Sequence, residues 1–312
     1  MEIRPYQLED EKSILDLFAL SFGKRMTLDY WRWRFINNPF TNEIFIDLMW
    51  EGDTLIGHYA VSPINMVIDG NVEKTALSMT TMTHPEYGGK GVFSKLADSL
   101  YGKLISSDYK MVWGFPNNNS HYGFNKNLGW NDIAIQGMMS LQADRLSHTK
   151  NVVEYHYRTE FNNEIVSKLN LSNKNVRIDK TLKYLKWRYF ENPSNEYKLL
   201  TTSDFKGIVV YKVIPSFSDI NCTEIDILDI YYNFDIDILR CLLLIILESE
   251  PNIKQFNIWD SLHSENQLNL EKVGFRLSPP ITYLGVRNLN GEPSIIRSYE
   301  NWDISLSYSD VF

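Results

Sequence analysis

The sequence predicts an α/β protein built from two tandem copies of one domain, each a mixed sheet of the α+β kind with helices packed on it. Three observations predict this. The segment YWRWRFINNP at 30–39 returns as YLKWRYFENP at 184–193, and Trp33 and Trp187 set an offset of 187 − 33 = 154 residues. Later, WGFPNNNSHYGFNKNLGW at 113–130 is echoed by WDSLHSENQLNLEKVGF at 259–275. Finally, strand-like runs alternate with amphipathic segments in the same order in both halves. A period this long marks a duplicated domain and not a solenoid, whose repeats are shorter.

Element by element, each copy opens with a helical part, follows with several strands, a helix and a strand, and closes on a short helix ending in Gly plus an aromatic residue, then more strand. The first copy starts with a short strand leading into a charged helix in MEIRPYQLEDEKSILDLF. It then supplies the hairpin IFIDLMWEGDTLIGHYAVSP, turning at 51–53. An apolar, threonine-rich strand at 76–82 passes through the glycines of THPEYGGKGVFSKLADSL, and Val92, Phe93, Leu96 and Leu100 then recur at helical spacing. The second copy supplies the hairpin KLLTTSDFKGIVVYKVI, turning at 203–206. The polar stretch at 147–151 separates a domain at 1–148 from one at 149–312.

Composition narrows the function. The chain has 312 residues, long enough for two domains with their own cores, and a net charge of −8. That charge argues against a broad nucleic-acid surface, which needs clustered Lys and Arg. Two cysteines, Cys222 and Cys241, follow no metal spacing and suit a reducing compartment. The longest apolar run, 241–247, is too short to span a bilayer, and the N-terminus does not read as a signal peptide. The expectation is a soluble, cytoplasmic protein without nucleic acid, membrane or metal among its partners.

A strand that turns through glycines into a helix start is a site for an anion, because unpaired amides and the helix dipole point the same way. The duplication acts as an internal control on it. Where the first copy has HPEYGGKGVFSK, the second has IYYNFDIDILRC, with no glycine and with Asp235 and Asp237, which would repel a phosphate. One anion site is therefore expected, in the first half. The same comparison makes Trp33, Arg34, Asn38 and Pro39 architectural, since they recur in the half that lost its site. Trp31 and Arg32 do not recur and stand as candidate substrate contacts, with Thr80 and Trp113.

The loop is not a Walker A sequence, because no Lys-Ser/Thr pair follows its last glycine. A dinucleotide-binding βαβ unit is disfavoured by the antiparallel hairpin before it; a bare surface turn is the other reading. HPEYGGKGVFSKL resembles the acyl-CoA pyrophosphate loop of the GNAT (Gcn5-related) N-acyltransferase superfamily, Gln/Arg-x-x-Gly-x-Gly/Ala. Gly88, Gly91 and Phe93 stand at its defined positions, with Gly88 replacing Arg or Gln and Phe93 replacing the small residue. NNNSHYGFNKNLGW resembles the helix carrying N…Y-x-x-x-G-F in many members. The repeat extends the resemblance to tandem members, the second copy having a degenerate coenzyme A loop.

The resemblance implies acyl-CoA as co-substrate. Its pyrophosphate would lie on Gly88, Gly89, Lys90, Gly91, Val92, Phe93 and Ser94, its pantetheine arm along Met82 and Thr83, with Asn117, Ser120 and Phe124 nearby. The Met82 amide would polarise the thioester carbonyl. Family members use a tyrosine acid where this chain has Asn125, so Tyr122, one turn earlier, is the candidate acid; packing against the arm is its other reading. The positions of the family's base are the apolar Leu77 and Met79. A lysine amine near pKa 10.4 costs about 4.6 kcal/mol to deprotonate at pH 7, whereas an amine near pKa 8 costs about 1.4. The missing carboxylate thus points to a small-molecule amine of low pKa, such as that of a nucleotide-linked amino sugar used for surface polysaccharide. An aminoglycoside or other small-amine acetyltransferase is the alternative, and a non-catalytic acyl-CoA sensor the competing class. Duplication within one chain implies a monomer.

Overall fold

The computed structural model describes residues 1–149, 151–262, 264–291 and 294–309. Lys150, in the expected linker, and His263, in the second Gly-aromatic motif, lie outside the described residues. In chain order the first half contains β1 (Glu2–Pro5), α1 (Glu11–Phe22), α2 (Leu28–Phe35), β2 (Ile46–Glu51), β3 (Thr54–Ile68), β4 (Asn71–Thr83), α3 (Val92–Ser106), β5 (Met111–Gly114), α4 (His121–Leu128) and β6 (Asn131–Gln142). The second contains β7 (Tyr155–Arg158), α5 (Asn163–Leu169), β8 (Val176–Ile178), α6 (Leu182–Leu185), β9 (Lys198–Thr202), β10 (Ile208–Pro215), β11 (Thr223–Tyr231), α7 (Ile236–Ser249), β12 (Ile253–Ile258), α8 (Glu265–Val273) and β13 (Arg276–Asn288).

The chain forms two compact units that are discontinuous in sequence. One comprises Met1–Ala134, Asn192–Ser194 and Tyr283–Arg297; the other comprises Ile135–Glu191, Asn195–Thr282 and Ser298–Phe312. In the first unit β1, β2, β3 and β4 pair antiparallel in succession, and β4 pairs β5 in parallel. The last strand is the end of β13, antiparallel to β5 with Gly285 opposite Gly114. The second unit repeats this pattern. Its strands β7, β9, β10 and β11 are antiparallel in succession, β11 pairs β12 in parallel, and the end of β6 closes the sheet with Leu141 opposite Phe256. Each unit is thus completed by a strand from the other half of the chain.

The repeated motif folds alike in both copies. Thr27 caps α2 by accepting from the Tyr30 amide, and Thr181 caps α6 by accepting from the Tyr184 amide. The Asn38 side chain accepts from the Phe40 amide and Asn192 from the Ser194 amide, both at 2.9 Å. Trp33, Arg34, Trp187 and Arg188 are buried. Residues kept without the anion loop therefore do build the frame. The copies differ at one helix end: Lys186–Phe190 continues α6 as a π turn, where α2 stays α-helical to Phe35.

Each core follows from the periodicity. In α3, Val92, Leu96, Leu100 and Leu104 fall every four residues and pack with Tyr59, Val61 and Ala76 on the sheet. In α7, Leu239, Leu242, Leu243 and Ile246 pack on Leu200, Val209, Ile225 and Ile227. No helix among the described residues is long and apolar enough to cross a membrane.

Candidate acyl-CoA site

Two features of β4 create an opening in the first sheet. The ladder between β4 and β5 has only three pairs, Thr75–Met111, Ala76–Val112 and Leu77–Trp113. Beyond it β4 runs on to Thr83 while β5 ends at Gly114, so the strands part in a V and leave one edge of β4 open from Ser78 onward. A strand edge without a neighbour offers unpaired amides and carbonyls to an extended partner. Gly114 permits the close approach at the closed end of the V, since an added Cβ there would stand 3.0 Å from the Ser78 carbonyl oxygen.

The second feature is a bulge. Between the pairs His58–Met82 and Ala60–Met79, β4 carries one residue more than β3, and Thr80 adopts a φ of 52°. A β-branched residue in the left-handed region is strained and must be held there by its surroundings. His58 does part of this. Its Nδ1 lies 2.9 Å from the Thr80 carbonyl, and the ring is fully buried, with its edge against Phe35. Burial pushes the His58 pKa down to about 4, so the ring is neutral and Nδ1–H donates. Its Nε2 has no hydrogen-bond partner among the described residues.

Past Thr83 the chain makes a short turn at Pro85–Tyr87, whose start is fixed by the His84 amide donating to the Ile56 carbonyl. Tyr87 donates to Glu51 at 2.5 Å, and the Lys90 ammonium lies over the Tyr87 ring at 4.3 Å. Gly88, Gly89, Lys90 and Gly91 are exposed, while Ser94 and Phe93 are half-buried. Gly91 is the N-cap of α3 with φ 76°, and no side chain caps the helix. The first-turn amides of such a helix have no intrahelical acceptor, and the dipole adds partial positive charge. In the second unit the Asp235 carboxylate fills the corresponding place, accepting from the amides of Asp237 and Ile238 at 2.9 and 3.3 Å. The degenerate loop thus carries its own anion; the first loop leaves its amides open.

The remaining predicted residues divide sharply. Met82 is buried and Thr83 half-buried on the open strand. Phe93 meets Phe124 edge-on at 5.2 Å, and Phe124 meets Trp130 at 4.6 Å, forming one aromatic wall. Val92 is core. Asn117 is occupied in starting α4, accepting from the amides of Asn119 and Ser120. Tyr122 is 71% exposed and makes no hydrogen bond among the described residues. Two expected acceptor contacts are corrected. Trp31 is fully buried between Tyr6 and Phe35, and Trp113 is fully buried with its indole N–H on Thr75 Oγ1, so neither presents a surface to a ligand. The Arg32 guanidinium bonds Glu11 at 2.8 and 2.7 Å through Nε and Nη2, and its side chain stays 42% exposed. Leu77 and Met79 are buried apolar residues, in keeping with the missing carboxylate.

One pairing beside these residues escapes sequence reasoning. His121 Nε2 bonds Asp132 Oδ1 at 2.8 Å, and its ring stacks on Tyr283 at 3.8 Å and 11°. Tyr283 reaches the first unit only because β13 joins it, so no local signal could have revealed the pair. A buried hydroxyl chain also runs beneath the V, from Ser78 through Tyr59 and Tyr101 to Trp130.

With this geometry in place, comparison with known proteins is consistent. Residues 2–133 match the family model of the acetyltransferase (GNAT) domain, which spans the first copy from β1 to the start of β6. The whole chain has the fold of solved N-acyltransferase structures. A probable N-acyltransferase from Enterococcus faecalis superposes with a TM-score of 0.71 at 14% identity, covering 92% of this chain and 72% of that one. A GCN5-related N-acetyltransferase from Anabaena variabilis gives 0.71 at 12% identity, covering 93% and 73%. A putative acetyltransferase from Pyrococcus horikoshii gives 0.63 at 10% identity, covering 99% and 94%. No curated protein matches the sequence.

Proposed function

We propose that the protein is an acyl-CoA-dependent N-acyltransferase with one active site, in the first unit, acting on a small-molecule amine. One observation carries this reading: the open edge of β4 leads, through the turn and glycines of 84–91, to the uncapped N-terminus of α3. An extended arm ending in a diphosphate is the ligand shape that uses both features. Coenzyme A is such a ligand, with its pyrophosphate on the amides after Gly89 and its arm paired along β4 from Thr83. The Met82 amide lies opposite His58 and in step with the His84 amide that donates to Ile56, so it faces β3. The β4 amides turned into the V, those of Thr83 and Thr81, are the ones that meet the pantetheine arm and the thioester carbonyl, where a donor stabilises the oxyanion that forms when the amine attacks.

The site has no carboxylate at Leu77 or Met79 to strip a proton from the nucleophile. It therefore suits an amine that is partly neutral near pH 7, and the amino group of a nucleotide-linked amino sugar is the acceptor class that best fits. The second unit, its anion position filled by Asp235, offers no second coenzyme A loop. We place the protein in the cytoplasm as a monomer, where acyl-CoA and nucleotide sugars are available.

Thiol release from acetyl-CoA and longer acyl-CoAs, measured with a panel of amines including nucleotide-linked amino sugars, tests the reading. Turnover with an amino sugar and none with peptide lysine is expected. Coenzyme A binding with no turnover on any amine leaves a sensor and sinks the enzyme; no binding of coenzyme A sinks the site itself.

A further inference from the structure

The hydroxyl chain beneath the V has a fixed polarity. The indole N–H of Trp130 can only donate, and it donates to Tyr101 Oη at 2.9 Å. Tyr101 Oη lies 2.6 Å from Tyr59 Oη, which lies 3.1 Å from Ser78 Oγ. Both tyrosines are fully buried. If Ser78 donated to Tyr59 and Tyr59 to Tyr101, the Tyr101 hydrogen would be sealed in the core without an acceptor, at a cost the fold avoids. The arrangement that satisfies the indole and both buried phenols runs the other way: Trp130 to Tyr101, Tyr101 to Tyr59, Tyr59 to Ser78. Burial holds both phenols neutral, raising Tyr101 to about 12 and Tyr59 well above the ordinary tyrosine range. The hydrogen left over is that of Ser78, at the closed end of the V where Gly114 and β4 separate. Each bond in a directed chain polarises the next, which strengthens the last donor.

We infer that Ser78 is a specificity-determining residue that reads an acceptor oxygen on the acyl group of the thioester donor. This rests on the acyl-CoA reading above. The arm enters the V at Thr83 and the thioester carbonyl meets the next amide turned into the V, that of Thr81, so what continues towards Ser78 is the acyl group itself. A donor hydroxyl with no acceptor among the described residues favours a short acyl chain carrying a carbonyl, hydroxyl or carboxylate oxygen beyond the thioester. A plain hydrocarbon chain of the same length would leave that hydrogen unpaired.

Binding calorimetry on the full chain with coenzyme A, butyryl-CoA and acetoacetyl-CoA tests this. The two thioesters match in length, and acetoacetyl-CoA adds one acceptor oxygen. Acetoacetyl-CoA is expected to bind about fivefold more tightly than butyryl-CoA, the worth of one hydrogen bond. In Ser78→Ala the ratio falls to about one while coenzyme A affinity holds. Tyr59→Phe, which keeps the ring and removes the donor to Ser78, lowers the ratio by a different route and covers the case in which Ser78→Ala folds poorly. Equal binding of the two thioesters to the unmodified protein overturns the inference and leaves the acyl-CoA site standing. A ratio that survives in Ser78→Ala also overturns it. Failure of coenzyme A itself to bind overturns the site and the inference together.

Discussion

Substituting Gly91 by Asp tests the anion site with a perturbation that the protein has already made in its other half. At Asp235 a carboxylate takes the amides two and three residues further on, at 2.9 and 3.3 Å. The same offsets from Gly91 are Phe93 and Ser94, the amides assigned to the pyrophosphate. Two charge-assisted hydrogen bonds would be lost, each worth about 1.5–3 kcal/mol, or about 3–6 kcal/mol together. Coenzyme A affinity should fall at least a hundredfold at about 1.4 kcal/mol per decade. Stability should barely move. Gly91 has φ 76°, where an L-residue costs about 1–2 kcal/mol, whereas Asp235 caps from an extended φ of −89°. An aspartate that shifts the loop to that backbone gains a cap of about 0.5–2 kcal/mol against the cost of the shift. Gly91→Ala separates the two effects, since it keeps the backbone penalty, gains no cap and adds no charge. Calorimetric titration of coenzyme A alongside urea melts of all three proteins gives both quantities. An aspartate variant that melts like the parent and still binds coenzyme A within threefold would refute the assignment.

Other outcomes follow from the same structure. His58 titrates near 4 when folded, below its unfolded value near 6.5, so it contributes stability above pH 6.5 that is lost as pH falls towards 4, on the order of 3 kcal/mol in all; His58→Gln should flatten that part of a pH series of urea melts. Asp260 runs oppositely. Burial raises it to about 7, so its ionisation weakens the fold as pH rises from about 4 through 7, and Asp260→Asn should raise the melting temperature at pH 8 and not at pH 4. Trp31→Ala should cost about 3–5 kcal/mol by urea melt, as expected for a fully buried indole, and should leave coenzyme A affinity unchanged in whatever fraction folds.

Features written locally in the chain were legible. The repeat, the strand–glycine–helix turn and the loss of that turn from the second copy all depend on residues close in sequence, and the structure adds to the last point that Asp235 occupies the amides. Burial of individual side chains was harder to read. Trp31 and Trp113 are aromatic residues beside the site in sequence, yet α2 and β5 turn both into the core, and only tertiary packing decides that. The strain at Thr80 and the support from His58 lie on neighbouring strands joined by a bulge, which shifts the register by one residue and leaves no mark in the alternation of side chains. The contact of His121 with Tyr283 was out of reach for a different reason, since its partners lie 283 − 121 = 162 residues apart.

The closing strand of the first sheet has a consequence for how the protein is made. Gly114 leaves the ribosome 285 − 114 = 171 residues before its ladder partner Gly285. At about 5–20 residues per second, the outer edge of β5 waits roughly 10–30 seconds for its neighbour. During that interval the growing chain presents an unpaired strand of buried, apolar character, the kind of edge that recruits other chains. Synthesis of this protein should therefore depend on chaperones that shield nascent chains more strongly than its finished surface suggests, and codon changes that slow translation between β5 and β13 should lower its yield without altering a single residue.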